Sequence, residues 1–111
     1  MIDIEELIRT FHISARYKGY SLIIEAIKIV VDSNADYFQI SKDVYPRLML
    51  KYNTSMNCVE RNIRTVVQHC WQNNKELLSQ IFGYELLTSP TNTEFIDYVS
   101  YYIVNSKRAR D

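Results

Sequence analysis

The sequence predicts an all-α fold, a compact bundle of about six helices containing a helix-turn-helix. Three observations predict it. Apolar residues recur at helical spacing in six separate stretches. Only two glycines and two prolines occur in 111 residues, which leaves little material for long connections. A short polar turn, Asn53-Thr54-Ser55, separates two of the stretches, as a helix-turn-helix requires. A hydrophobic share of 47% over this length is enough for a core without staples, so residues 1–111 are expected to form a single domain.

The elements follow in order. Asp3 is placed to cap a first helix whose apolar face is Ile4, Leu7, Ile8 and Phe11. His12 to Gly19 reads as a connection. A second helix is expected from about Tyr20 to Asp32, burying Leu22, Ile23, Ala26, Ile27 and Val30, before a break at Ser33, Asn34 and Ala35. A third runs roughly from Ile40 to Tyr52, with Val44, Leu48, Met49 and Tyr52 as its apolar positions. Pro46 interrupts it, because an interior proline removes a hydrogen bond and crowds the preceding turn. Either the helix kinks there, or the proline opens its second half.

Thr54 or Ser55 can cap the fourth helix, which reaches Trp71. A fifth, Lys75 to Phe82, turns Leu77, Leu78 and Ile81 inward, and Gly83 is placed to end it. After the loop Glu85 to Pro90, Thr91 and Glu94 fit a capping box. The last helix buries Phe95, Ile96, Val99 and Ile103 and ends in a charged tail, Lys107, Arg108 and Arg110. No internal repeat or interdomain linker interrupts the pattern.

Composition narrows the function. Formal net charge is zero, so any nucleic-acid affinity must come from local clustering of charge rather than from overall balance. Cys58 and Cys70 fall on the same helix, roughly 18 Å apart by its rise per residue, and cannot bridge each other. There is no secretory signal pattern and no apolar run of membrane length, so a reducing cytoplasm is the expected compartment, without membrane contact. His12, Cys58, His69 and Cys70 lack paired metal-ligand spacing, two glycines cannot build a phosphate-cradling loop, and no Ser/His/Asp arrangement is suggested. The chain is not expected to be an enzyme, and no cofactor is expected.

The fourth helix carries the strongest functional signal. At about 100° per residue, Asn57, Glu60, Arg61, Arg64 and Gln68 fall on one side, and Val59, Ile63, Val66, Val67 and Cys70 on the other. The apolar side suits burial. The polar side offers two guanidiniums, a carboxylate and two amides, the groups that pair with base edges and phosphates. In a helix-turn-helix the second helix lies in the major groove and its N-terminal half contacts bases. Arg61 and Arg64 suit guanine or phosphate, Glu60 the cytosine amino group, and Asn57 adenine or phosphate. Ser55 at the helix start and Lys51, Lys18 and Arg16 nearby are candidate backbone contacts. Pattern alone favours an ordinary solvated face, because helix-turn-helix shapes are common in helical domains.

Several segments carry a further signal: Lys18-Gly19-Tyr20, Glu25-Ala26-Ile27, Tyr45-Pro46, Lys51-Tyr52-Asn53-Thr54, Val59-Glu60-Arg61-Asn62-Ile63-Arg64, Trp71, Phe82-Gly83-Tyr84 and Pro90-Thr91-Asn92-Thr93-Glu94-Phe95-Ile96. In this order, covering nearly the whole chain, they resemble the C-terminal effector domain of the stage-zero sporulation protein A family, the sporulation master response regulators. The V-E-R-x-I-R and P-T-N-x-E-F-I strings are the specific ones.

The resemblance implies a six-helix DNA-binding domain that regulates transcription initiation. By it, the helix from Ser55 to Trp71 enters the major groove of a short operator element, with Glu60, Arg61 and Arg64 at DNA-contacting positions. It also implies self-association as tandem copies on repeated elements. A contact with the RNA polymerase sigma factor is implied through the region from Trp71 to Gly83, with Lys75, Glu76, Ser79 and Phe82 as candidates.

The sequence departs from the family at Cys58, where the family carries a site-reading arginine, and at Thr65, where it carries a histidine. One bidentate guanine contact is worth about 1–3 kcal/mol of discrimination, so either a different operator preference or weaker binding is expected from Cys58. Family members normally carry an N-terminal receiver domain; this chain is expected to be the effector domain alone.

Two alternatives remain open at this level. A helical protein-interaction module of the same fold, which has lost operator binding and modulates a related regulator, is favoured by Cys58 and by the neutral charge. Tyr98, Tyr101 and Tyr102 on the last helix suit either a subunit contact or amphipathic packing. A thiol of lowered pKa at Cys58, near a helix start, is a further candidate.

Overall fold

The computed structural model describes residues 3–33 and 39–110, with side chains through residue 106. Six α-helices order these residues: α1 (Ile4–Arg9), α2 (Lys18–Ser33), α3 (Tyr45–Lys51), α4 (Met56–Asn73), α5 (Lys75–Phe82) and α6 (Asn92–Arg110). A π-helical turn, Ile40–Val44, leads into α3. No strand occurs among the described residues. Asn34 and Ala35 of the expected break lie outside the described residues, as do the side chains of Lys107, Arg108 and Arg110. The backbone at 107–110 continues α6 rather than forming a tail beyond it.

α2 is the central element, packed against both α4 and α6, with α1 and α3 also contacting it. Ile23, Ala26 and Ile27 of α2, Ile63, Val66 and Val67 of α4, and Phe95, Ile96 and Val99 of α6 are fully or almost fully buried in the shared core. Leu7, Ile8 and Phe11 are buried as the pattern requires, although α1 ends before Phe11. His12 then adopts a left-handed backbone (φ 61°), which turns the chain out of that helix.

Asn73 Nδ2 donates to the Phe11 carbonyl at 2.9 Å and pins this turn to the end of α4. Asp3 caps α1 by accepting from the Glu5 amide at 3.2 Å. Gly83 ends α5 in the left-handed region (φ 85°), its amide bonded to the Ser79 carbonyl. The capping box holds: Thr91 Oγ1 accepts from the Glu94 amide, and Glu94 Oε1 from the Thr91 amide.

Three expectations need correction. α2 begins at Lys18, so Gly19 is inside the helix rather than in the connection. The reason is close packing: a Cβ at Gly19 would lie 2.7 Å from Val66 Cγ2 and closer still to the Asn62 carbonyl oxygen. Only glycine lets the α2 backbone lie this near the α4 backbone.

Of the two outcomes open at Pro46, the second holds: the stretch from Ile40 to Tyr52 is not one α-helix, and the proline opens its second half. Pro46 has no amide to offer the Lys42 carbonyl and its ring crowds that group. A widened π turn precedes it, and the proline sits in the first turn of α3. Tyr52 ends α3 and is 38% exposed rather than buried, its ring beneath Lys51 Nζ (5.7 Å to the centroid). Val30, Met49 and Leu77 are half-buried at the margin of the core.

Candidate nucleic-acid interface

The turn into α4 is built by local chemistry. Asn53 is left-handed (φ 49°), a conformation Asn tolerates better than most residues. The Thr54 amide bonds back to the Met49 carbonyl at 3.0 Å, closing the last turn of α3. Ser55 is the N-cap of α4: its hydroxyl accepts from the Cys58 amide at 3.2 Å. Three residues therefore end one helix, reverse the chain and start the next.

On α4 the two faces separate as the periodicity requires. Val59, Ile63, Val66, Val67 and Cys70 are fully buried. Asn57, Arg61, Arg64 and Gln68 are exposed, and Glu60 is half-buried. Among the described residues the ion pair is Lys51 with Glu25 at 3.0 Å; none engages Arg61 or Arg64. Their guanidinium donors face outward without a carboxylate partner, and a guanidinium has five donors to offer.

This polar ridge stands between two clefts. One, of about 360 Å³, is walled by Tyr45, Glu60, Arg64 and Gln68 on one side and by residues 89–93 on the other. The second lies between α4 and the start of α2, and its lining includes Lys18, Thr54, Cys58 and Asn62. Glu60 thus stands on the α6 flank of the ridge and Cys58 on the α2 flank, with Asn57, Arg61, Arg64 and Gln68 along the crest. Lys51 borders the turn, committed to Glu25 of α2. Arg16 is exposed in the turn before α2.

Cys58 is half-buried, and Asn62 Nδ2 lies 2.8 Å from its carbonyl oxygen and 3.2 Å from its Sγ. A hydrogen bond with Thr54 lowers the thiol pKa; Arg61 and Lys18, both cationic, and Asn62 lower it further against partial burial. Burial alone pushes the Cys70 thiol up to about 12. Iodoacetamide at neutral pH is therefore expected to alkylate one thiol per folded chain, Cys58, with a rate–pH midpoint below the ordinary cysteine value. Labelling of Cys70 without denaturant would contradict this assignment. Among the described residues no group of three His, Cys, Asp or Glu side chains is placed to hold a metal ion.

The region from Trp71 to Gly83 divides. Lys75 and Glu76 are exposed at the start of α5. Ser79 is half-buried and accepts from the Leu86 amide at 3.0 Å. Phe82 is 5% exposed and stacks on Tyr98, ring centroids 4.5 Å apart, so it joins α5 to α6 instead of presenting a surface. Tyr101 is well exposed and Tyr102 packs against the core margin.

Two residues of the interface escaped the reading of helix faces. Asn92, the first residue of α6, donates from Nδ2 to the Glu60 carbonyl at 2.9 Å. It also lines the cleft beside Tyr45, at the start of α3, near enough to act on the phenol. Tyr45 is almost fully buried, and burial raises its pKa, opposed by Asn92, with Glu60 and Arg64 near enough to act on it electrostatically. The one signal for either was membership of the P-T-N and Tyr-Pro strings.

No described helix is long and apolar enough to cross a membrane. A family model described as "Sporulation initiation factor Spo0A C terminal" matches residues 4–103. The match takes in all of α1 through α5 and most of α6, and the chain belongs to that family.

Proposed function

We propose that this member of the Spo0A C-terminal family, a family of DNA-binding effector domains, is the sequence-specific DNA-binding domain of a bacterial transcription regulator. In this reading the ridge of α4 enters the major groove. Arg61 and Arg64 contact guanine edges or phosphates, Glu60 accepts from a cytosine amino group, and Asn57 and Gln68 extend the contact along the groove. Ser55 and Lys51, at the turn, contact the sugar-phosphate backbone. Cys58, on the flank, takes the place of a guanine-reading side chain, so the preferred element differs there from that of arginine-bearing relatives.

The observation that supports this best is the crest itself: two exposed guanidiniums without an ion pair, on a helix held at its start by a capped, tightly closed turn. Residues 1–111 act in this reading as one cytoplasmic effector domain. Copies associate on adjacent elements, and the exposed start of α5, at Lys75 and Glu76, meets the polymerase sigma factor.

Selection from a random duplex pool tests the central claim. The expected result is an enriched short element whose affinity falls steeply with added salt, because each neutralised phosphate releases counterions. A pool without enrichment would sink this reading and favour a protein-interaction module of the same fold, which Cys58 on the flank of the ridge would suit.

A further inference from the structure

Asn92 occupies an unusual position. It is half-buried at the start of α6, yet its side chain reaches two other elements. Its amide donates to the Glu60 carbonyl, in the half of α4 that carries the ridge. The same residue lines a cleft together with Tyr45, which opens α3, and lies near enough to act on its hydroxyl. α3 and α4 are the two helices of the helix-turn-helix, so one residue of α6 meets both. The carbonyl it holds belongs to a residue whose own side chain lines the cleft beside Arg64. Nothing in the helical pattern of α4 requires this bond, because carbonyls within a helix are already served by its own amides.

We infer that Asn92 is a positioning residue for the reading face: through the Glu60 carbonyl and Tyr45 it fixes how α4 is set against α3 and α6, and thereby where the Glu60 and Arg64 side chains stand in the groove. The inference rests on the proposed DNA reading. It adds a determinant of specificity outside the helix that contacts the bases. A bond between fixed elements matters here because base readout tolerates little misplacement of the reading side chains.

The test separates position from fold and from direct contact. Asn92→Ala removes the donor to the Glu60 carbonyl without adding charge beside the proposed DNA face, and alanine is well tolerated in a helix. The variant should melt within about 5 °C of the wild type. It should lose about tenfold in affinity for the selected element, as expected for one hydrogen bond, with unchanged affinity for unrelated duplex and an unchanged salt slope. The loss should shrink in a Glu60→Gln background if Glu60 is what Asn92 places. The Arg61 amide nitrogen, which shares the peptide unit with the Glu60 carbonyl, should shift in an ¹⁵N spectrum of the free protein.

Wild-type discrimination by Asn92→Ala would overturn the inference. So would an equal loss on selected and unrelated duplexes, which marks a direct backbone contact. If the wild type enriches no element, the DNA reading falls first, and the spectrum judges the bridge alone. An unmoved Arg61 resonance then overturns it and a moved one upholds it.

Discussion

Gly19→Ala is expected to destabilise the chain by about 2 kcal/mol, against the rule that alanine improves a helix. On propensity alone, replacing a helical glycine with alanine gains up to about 1 kcal/mol, less in the first turn, where Gly19 stands. At this position the new methyl would meet the Asn62 carbonyl group and Val66 Cγ2, the latter at 2.7 Å. A carbonyl of a packed helix cannot swing aside as a side-chain tip can, so α2 and α4 must separate. Overpacking of this kind costs about 1–3 kcal/mol, at times more, and here the obstruction is backbone, which places it at the upper end or beyond.

Urea unfolding followed by circular dichroism measures the difference. Gly83→Ala is the comparison: its φ of 85° makes any side chain strained, but nothing lies within 4 Å of the added carbon. That variant is expected to lose stability through strain alone and to keep its DNA affinity. Gly19→Ala should lose both if the displaced element, α4, reads DNA as proposed. A Gly19→Ala protein as stable as the wild type would show that the close approach of α2 to α4 is wrong.

The contrast between Gly19 and α4 shows what the sequence could disclose. The two faces of α4, its Ser55 cap, the Gly83 stop and the Thr91–Glu94 box are local features, set by residues within one or two turns of each other, and all are legible as pattern. By pattern Gly19 belongs to a connection, because glycine usually marks one. Its role depends on a helix far along the chain, which no local period reveals. The Asn92 bond spans 32 residues and is hidden for the same reason.

The π turn before Pro46 lies between these cases. The proline announces a disturbance, but whether the helix kinks or widens depends on how Val44 and Tyr45 must both reach the core. Among the candidate contacts, the crest residues were legible from spacing. The burial of Phe82 was not, because it follows from stacking on Tyr98 of another helix.

Arg64→Ala is expected to produce the largest loss of DNA affinity of any single substitution on the ridge, about ten- to a hundredfold, the range for one bidentate base contact. The side chain is exposed, makes no ion pair among the described residues, and borders the cleft formed with residues 89–93. Its removal should therefore leave folding almost untouched, within about 0.5 kcal/mol.

Tyr45 gives an internal check on that claim. Arg64 lowers the Tyr45 pKa slightly against the dominant effect of burial. Without Arg64 that pKa rises further, so the phenol stays neutral at pH 7 and stability there does not change. Arg64→Lys then separates the two ways the guanidinium can act. Lysine keeps the charge but not the planar fork. If Arg64 contacts a phosphate, lysine should restore most of the affinity, and the alanine variant should weaken all duplexes alike and lower the salt slope by about one unit. If it reads a guanine edge, lysine should restore little, the salt slope should hardly move, and preference should relax at one base pair. The position of Arg64 on the crest, three residues beyond Arg61 and clear of the capped helix start, favours the base-edge outcome. Fluorescence anisotropy with selected and point-substituted duplexes decides between them, and unaltered affinity for the alanine variant would remove the α4 ridge as the reading surface.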